Sequence, residues 1–274
     1  MAVILAGGCR VSHMHDGAAL VEGTLRVWNQ VGRATGAQAI SLRVMEFAPG
    51  LSPAIRNDDC DQILYVLERG PSMERGHLAR MSDRSERSVA AALSTIFIDG
   101  QRHEIGSDTG IYIRPKETFA IQNPGPDALT IISSQCPDSD RSPQFVSLSS
   151  AAPSSAIGAA APIVRLADQR AQPTADRWYR VMVDDEMGSA ATQFVGSIPP
   201  GRAPDHFHTY EEVLFILRGE GRIWGGETNT PIAPGSCVYL PNGQVHCVEN
   251  TGEDELRLLG VFYPAGSPSV RYEY

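Results

Sequence analysis

The sequence lacks the features of several protein classes. No apolar run approaches the roughly 20 residues that a membrane-spanning helix needs, so we expect no membrane partner. The five cysteines are odd in number and include no C-x-x-C pair, which predicts free thiols and a cytoplasmic setting. Positive charge is also scarce, because the formal net charge is −9. A general nucleic-acid surface needs a basic face, so we expect no nucleic-acid partner.

What is present is a globular composition and an internal repeat. Apolar residues make up 42% of the 274 residues and charged residues 20%, which is too apolar for a disordered chain. RVMEFAPG at 43–50 resembles QFVGSIPPG at 193–201, and CDQILYVLERG resembles YEEVLFILRGEG further along. In both halves, short β-branched or aromatic runs are broken by Gly, Pro, Asn and Asp turns. The pattern predicts an all-β protein with two barrels.

Three histidines and a glutamate have a spacing that predicts one metal site. His206 and His208 are separated by one residue, so a strand would put both imidazoles on one face. Glu212 follows closely, and His246 comes after a turn at 241–243. Imidazoles with one carboxylate suit one divalent transition metal ion, such as Fe, Mn, Ni, Zn, Co or Cu.

These two segments closely resemble the two motifs of the cupin superfamily. In the first motif Gly201 stands one residue late, with Pro200 in the expected place, and the other positions are in register. The motif positions that match are His206, His208, Glu212 and Gly219 in the first segment, and Gly235, Pro241, Gly243, His246 and Asn250 in the second. The resemblance implies two tandem jelly-roll barrels, with the ion bound inside the second by His206, His208, Glu212 and His246.

The repeat and the motifs together predict the domain organisation. Residues 1–140 are expected to form a degenerate N-terminal cupin barrel, interrupted by a polar insertion at about 70–95. Residues 141–162, rich in Ser, Ala and Pro, are expected to connect it to a C-terminal metal-binding barrel at 163–274.

The N-terminal barrel has the fold pattern without the ligands. Aligning the repeats puts Arg56, Asp58 and Gln62 at the first three ligand positions, and Phe119 or Ala120 at the last. Arginine stays protonated, and neither Phe nor Ala offers a side-chain lone pair, so we expect no metal ion there. Arg56 is expected to pair with Asp58.

Two nearby features are not expected to bind the ion. His13 and His15 form another His-x-His without a downstream glutamate and histidine, and we expect them in an exposed arm. Cys247 follows His246 directly, so in a strand its side chain would point to the opposite face.

The predicted ligand set leaves open coordination positions, which is typical of a catalytic site. An apolar barrel wall favours a small organic acid, enol or aromatic as substrate. The resemblance to quercetin dioxygenase and related cupins favours a dioxygenase-type oxidoreductase, in which Glu212 could also shuttle a proton. A metal-dependent isomerase, decarboxylase or lyase and a non-catalytic binding protein remain as alternatives, and homodimer formation remains open.

Overall fold

The computed structural model describes residues 1–67, 93–138, 140–146, 162–174 and 176–269. The strands of the N-terminal half are β1 Val3–Ile4, β2 Arg10–His13, β3 Leu20–Glu22, β4 Leu25–Val31, β5 Leu42–Phe47, β6 Gly50–Leu51, β7 Ala54–Arg56, β8 Asp61–Val66, β9 Ser94–Ile98, β10 Gln101–Ile105, β11 Thr109–Ile113, β12 Thr118–Asn123, β13 Leu129–Cys136 and β14 Gln144–Val146. Those of the C-terminal half are β15 Ile163–Arg165, β16 Gln172–Thr174, β17 Arg177–Val183, β18 Thr192–Ile198, β19 Gly201–Arg202, β20 Glu211–Arg218, β21 Gly221–Gly225, β22 Thr228–Ile232, β23 Ser236–Leu240, β24 His246–Asn250 and β25 Leu256–Tyr263.

Helix is limited to single short turns in the described ranges. The 3-10 helices are Ala6–Gly8, Arg33–Thr35, Leu166–Asp168 and Asp185–Met187. Among the described residues, no helix has the length and apolar character needed to cross a membrane. The all-β prediction is confirmed. The predicted insertion at about 70–95 falls mostly in 68–92, which lies outside the described residues, as does 147–161 of the predicted connecting segment.

Each barrel consists of two antiparallel sheets. In the first barrel, β15-β11-β8-β13-β5-β4-β3 form one sheet, and β10-β9-β12-β7-β14 form the other, with β6 beside β12. In the second barrel, β1-β2-β23-β20-β25-β18-β17-β16 form one sheet and β19-β24-β21-β22 the other. Side chains alternate between the faces of each strand, so every sheet gives one face to the barrel interior. The predicted pair of jelly-roll barrels is confirmed.

The two barrels exchange strands. Strand β2 pairs with β23 in the second barrel, with Arg10 opposite Tyr239. Strand β15 pairs with β11 in the first barrel, with Ile163 opposite Ile111. The domain bounds 1–140 and 163–274 stay a prediction, but the sheets do not follow them at these two strands. His13 therefore ends a strand, and the expectation of an exposed arm was wrong, although its side chain is exposed.

The apolar core has three parts. One fills each barrel, and the third lies between them, where Tyr65 and Tyr112 of the first barrel belong to the same buried cluster as Val213 and Phe215 of the second. Burying an aliphatic or aromatic side chain of this size contributes roughly 1.5–3 kcal/mol. The two barrels therefore pack against each other through a shared apolar core.

Candidate metal centre

Three imidazoles converge inside the C-terminal barrel. His206 and His246 lie opposite each other in an isolated antiparallel bridge, with His206 N–H donating to His246 O at 3.0 Å and His246 N–H donating to His206 O at 2.9 Å. His208 lies alongside, and one ligand atom from each of the three residues lies within 4.8 Å of the others. The ring centroids are 4.4 to 5.2 Å apart. The structure thus brings together the three histidines that the sequence singled out.

Backbone carbonyls orient two of these imidazoles. Nδ1 of His206 lies 3.1 Å from Pro204 O, and Nδ1 of His246 lies 2.8 Å from Gln244 O. A carbonyl only accepts hydrogen bonds, so we assign the proton of each ring to Nδ1, which leaves the Nε2 lone pair available. Histidine ligands of metal ions have this second hydrogen bond as a rule.

Burial shifts the pKa values of two groups of the site. Burial, together with the neighbouring His206, lowers the pKa of His246 to about 3, so this imidazole is neutral at pH 7. Burial also raises the pKa of Glu212 to about 8. A bound cation would favour the carboxylate form. A neutral imidazole beside a buried carboxyl group is a donor set that fits a divalent metal ion.

Glu212 lies beside the histidines without joining their closest group. It is buried on β20, and its Oε2 lies 3.5 Å from Nε2 of His208. The group with all ligand atoms within 4.8 Å contains the three imidazoles and not this carboxylate. Its role as the fourth ligand therefore stays a prediction, supported by its contact with His208.

His208 is positioned by contacts that the sequence analysis missed. Its ring stacks on Tyr210 at 4.7 Å, and Tyr210 stacks in turn on Phe262 at 4.5 Å. Its carbonyl accepts a hydrogen bond from Gly243 N–H at 2.8 Å. Gly243 has a φ of 76°, a conformation that glycine adopts without strain. The turn at 241–243 thus ties the His208 segment to the strand that begins with His246.

The histidines line a small cavity of about 120 Å³. Apolar side chains form much of its wall, including Phe194, Leu214 and Leu258. Arg177 of β17 also lines it, although it lies well before the histidine motifs in the sequence. No motif distinguishes this arginine, and only the pairing of β17 with β18 shows that it reaches the same barrel interior.

The corresponding interior of the N-terminal barrel is filled by an amide network. Gln62 donates to Ser133 Oγ at 2.9 Å and accepts from Asn57, and Gln135 donates to Asn57 Oδ1 at 2.8 Å. The predicted ion pair between Arg56 and Asp58 is present, with Nε and Oδ1 separated by 2.6 Å.

Phe119 and Ala120, the two residues at the last ligand position of the N-terminal barrel, are buried apolar side chains. Neither side chain offers a ligand atom for an ion.

Cys247 faces away from the imidazole cluster, as the alternation of strand β24 predicted. Its Sγ lies 3.2 Å from Nε of Arg202, whose guanidinium sits 4.0 Å above the ring centroid of Trp224. Burial raises the pKa of the Cys247 thiol to about 11, which keeps it protonated at neutral pH. All five cysteines are buried, and none of them forms a disulfide.

Part of the chain matches known sequences. The family model for the cupin domain matches residues 194–262, a segment that contains all four predicted ligands. Over 66 residues the chain is 36% identical to an oxalate-binding protein of Thermotoga maritima, covering 23% of this chain and 54% of that protein. Over 70 residues it is 33% identical to auxin-binding protein 1 of Arabidopsis thaliana, covering 22% and 35%. The chain therefore spans about half or less of the length of these relatives.

The fold matches solved structures over nearly the whole chain. A mutant of Bacillus subtilis oxalate decarboxylase superposes with a TM-score of 0.67 at 13% identity, covering 93% of this chain and 77% of that one. A structure described as a glyoxylate-induced protein of Pseudomonas aeruginosa superposes with a TM-score of 0.67 at 14% identity, covering 96% and 92%. At these identities the likeness concerns the fold alone. The cupin domain matched at residues 194–262 therefore lies in the second barrel of a chain that has the two-barrel fold of these structures.

Proposed function

We propose that this protein is a metal-dependent cupin enzyme that holds one divalent transition metal ion in its C-terminal barrel. His206, His208 and His246 would bind the ion, with Glu212 as the fourth ligand. The observation that carries the proposal is the convergence of three imidazoles, two of which have Nδ1 beside a backbone carbonyl. A bound ion would polarise a carbonyl or enolate oxygen and, if redox-active, support reaction with O₂.

The reaction we propose is a dioxygenase-type oxidation of a small organic acid, enol or aromatic. The apolar wall of the cavity supports this choice, because it removes water from the substrate and strengthens the electrostatic contacts that orient it. Glu212 would hold or release a proton at its carboxylate when its binding to the ion loosens. Its contact with Nε2 of His208 supports such a role beside the proposed ion site.

A second candidate is binding of a small molecule without turnover. Two matched relatives are described as an oxalate-binding protein and an auxin-binding protein, which supports such a role. The cupin family model matches the segment that contains the proposed ligands in this chain. Turnover of any substrate would favour the enzyme over this candidate.

Metal analysis tests the ligands. Protein purified without chelator is expected to contain close to one equivalent of a transition metal by elemental analysis. Replacing His246 by alanine should lower the content at least about tenfold, because it removes one of few ligands. His13→Ala is the matched control, since His13 belongs to another His-x-His and lies outside the cluster. Equal metal content in both variants would contradict the assignment.

An oxygen electrode tests the reaction. The metal-loaded protein is screened against enolisable acids and flavonoids, with His246→Ala as the inactive control. Oxygen uptake that depends on His246 supports the oxidoreductase. Turnover without oxygen uptake would instead support a lyase, decarboxylase or isomerase, and binding without turnover would support the second candidate.

A further inference from the structure

Two glycines lie among large apolar side chains on the interior face of the C-terminal barrel. Gly196 of β18 is paired with Leu258 of β25, and Gly260 of β25 is paired with Phe194 of β18. Phe194 and Leu258 belong to the buried cluster that fills this barrel. Because residues two apart share a face of a strand, both glycines face the same interior.

Gly260 allows the ring of Phe194 to lie against the sheet. A Cβ at Gly260 would overlap Cε1 and Cζ of Phe194, so the ring occupies the space where a side chain would otherwise stand. The centroid of this ring lies 6.5 Å from that of Tyr179 and 6.1 Å from that of Phe262. Aromatic rings attract one another at such distances. These contacts hold Phe194 in place as part of the cavity wall.

Gly196 keeps part of the cavity open. It lines the cavity, and a Cβ there would lie 3.4 Å from Cδ1 of Leu258 and 3.5 Å from Cε2 of Phe194. These are ordinary contact distances, so an alanine would fit without displacing its neighbours. Its methyl group would instead take up space inside the cavity. The strand therefore tolerates a side chain at this position, and the glycine leaves room that a ligand can occupy.

The size and surface of the cavity limit what fits there. An apolar cavity of roughly 150 Å³ accommodates benzene. The cavity here measures about 120 Å³ and is partly open to solvent, so it takes one six-membered ring and excludes a second ring fused to it. Phe194 and Leu214 give its wall an aromatic and an apolar surface. An aromatic ligand gains contact energy against such a ring beyond that of its buried area.

We propose that Gly196 and Gly260 restrict the substrate to one that presents a single aromatic ring to the cavity, with Phe194 as the wall against which that ring packs. This deepens the proposed function, on which it rests, because it names the substrate class and the residues that select it. The fit of the ring depends on the apolar wall and not on the ion. It can therefore be measured with and without metal.

Benzyl alcohol and naphthylmethanol form a matched pair of uncharged probes, since both carry one hydroxymethyl group and they differ by one fused ring. NMR titration would measure both dissociation constants with chelator-treated and zinc-loaded full-length protein. The wild type should bind benzyl alcohol at least about tenfold more tightly than naphthylmethanol in both forms, because an overfilled cavity forces its walls apart. Gly196→Ala should weaken the binding of benzyl alcohol at least about fivefold. Gly252→Ala is the control and should change neither constant more than about twofold, because Gly252 lies outside the cavity lining and a Cβ there would meet Asn250 Oδ1 at 3.4 Å.

Phe194→Ala tests the same inference by a gain of binding. Removal of the ring enlarges the cavity, so this variant should bind naphthylmethanol at least about fivefold more tightly than the wild type. It also decides the matter if Gly196→Ala does not fold. A wild type that binds both probes equally or neither of them would overturn the proposal, as would unchanged binding in both variants. Loss of zinc binding with an intact preference for the single ring would reject the ion site alone.

Discussion

Glu211 is a buried carboxylate that ties the two barrels together, and its removal should weaken that junction. Its Oε1 accepts hydrogen bonds from Gln38 N–H at 2.8 Å and from the Tyr239 hydroxyl at 2.6 Å, and its Oε2 accepts from Ala39 N–H at 2.7 Å. Glu211 belongs to β20 of the second barrel, whereas Gln38 and Ala39 precede β5 of the first. We predict that Glu211→Ala lowers the free energy of unfolding substantially.

The magnitude follows from the three contacts. A hydrogen bond to a charged group contributes about 1.5–3 kcal/mol, and truncation leaves three donors without their acceptor. Contacts that share one partner do not add fully, and water can reach part of the space that the side chain leaves. We therefore expect a loss of about 4 kcal/mol in the free energy of unfolding. Tyr239→Phe removes only one of the donors and should cost about 1 kcal/mol.

Urea unfolding in the presence of chelator measures these differences without a contribution from bound metal. Asp59→Ala is the matched control, because it removes a carboxylate whose 2.7 Å ion pair with Arg141 is exposed. This control should lose less than about 1 kcal/mol. If Glu211→Ala is no less stable than Asp59→Ala, the reasoning about the junction is refuted.

Three further predictions concern the site and its frame. In metal-free protein, the folded-state pKa of Glu212 is about 8 against an ordinary 4.5, so the unfolded chain loses this proton first and the contribution of Glu212 to stability falls as the pH rises from 4.5 to 8, whereas the lowered pKa of His246 gives an opposite slope below about pH 6.5. Glu212→Gln should remove that fall, and parallel urea profiles for the two proteins would contradict it. Tyr210→Ala removes the ring between His208 and Phe262 and should weaken zinc binding by about 10-fold in a competition titration, whereas unchanged affinity would deny Tyr210 a positioning role. Gly219→Ala should cost more than about 1 kcal/mol in calorimetry, because φ is 83° and a Cβ would lie 2.8 Å from the Leu256 Cα; a neutral effect would show that the loop can shift.

The repeat and the two motifs were sufficient to predict the fold class. Apolar and polar residues alternate along the strands, and the strands end at glycine and proline turns, so both signals can be read from the sequence. The convergence of His206, His208 and His246 was predicted from the motif spacing, but the expectation that a strand carries both His206 and His208 was wrong, because His206 forms only an isolated bridge before β20 begins. Arg177 was not found, because its place in the cavity depends on which strands pair across the barrel. The position of Tyr210 under His208 likewise depends on packing that no local pattern encodes.

The exchange of strands β2 and β15 escaped prediction for a related reason. Each is only three or four residues long, and a short apolar run does not reveal which barrel it will join. Pairing between segments far apart in sequence is set by the surface that remains uncovered after each barrel closes. The sequence therefore predicted the two barrels, but not which strands each barrel takes from the other half of the chain.

The pairing of β2 with β23 also constrains the order in which the chain can fold. Residues 10–13 leave the ribosome long before residues 236–240 are made, so the earlier strand has no partner during most of synthesis. Pairing between such distant segments forms late and slowly, and an unpaired edge is prone to associate with other chains. The sheet of the second barrel is completed only after the segment that contains His206, His208 and His246 has been translated. Formation of the metal site and pairing of β2 with β23 are therefore both late steps of folding.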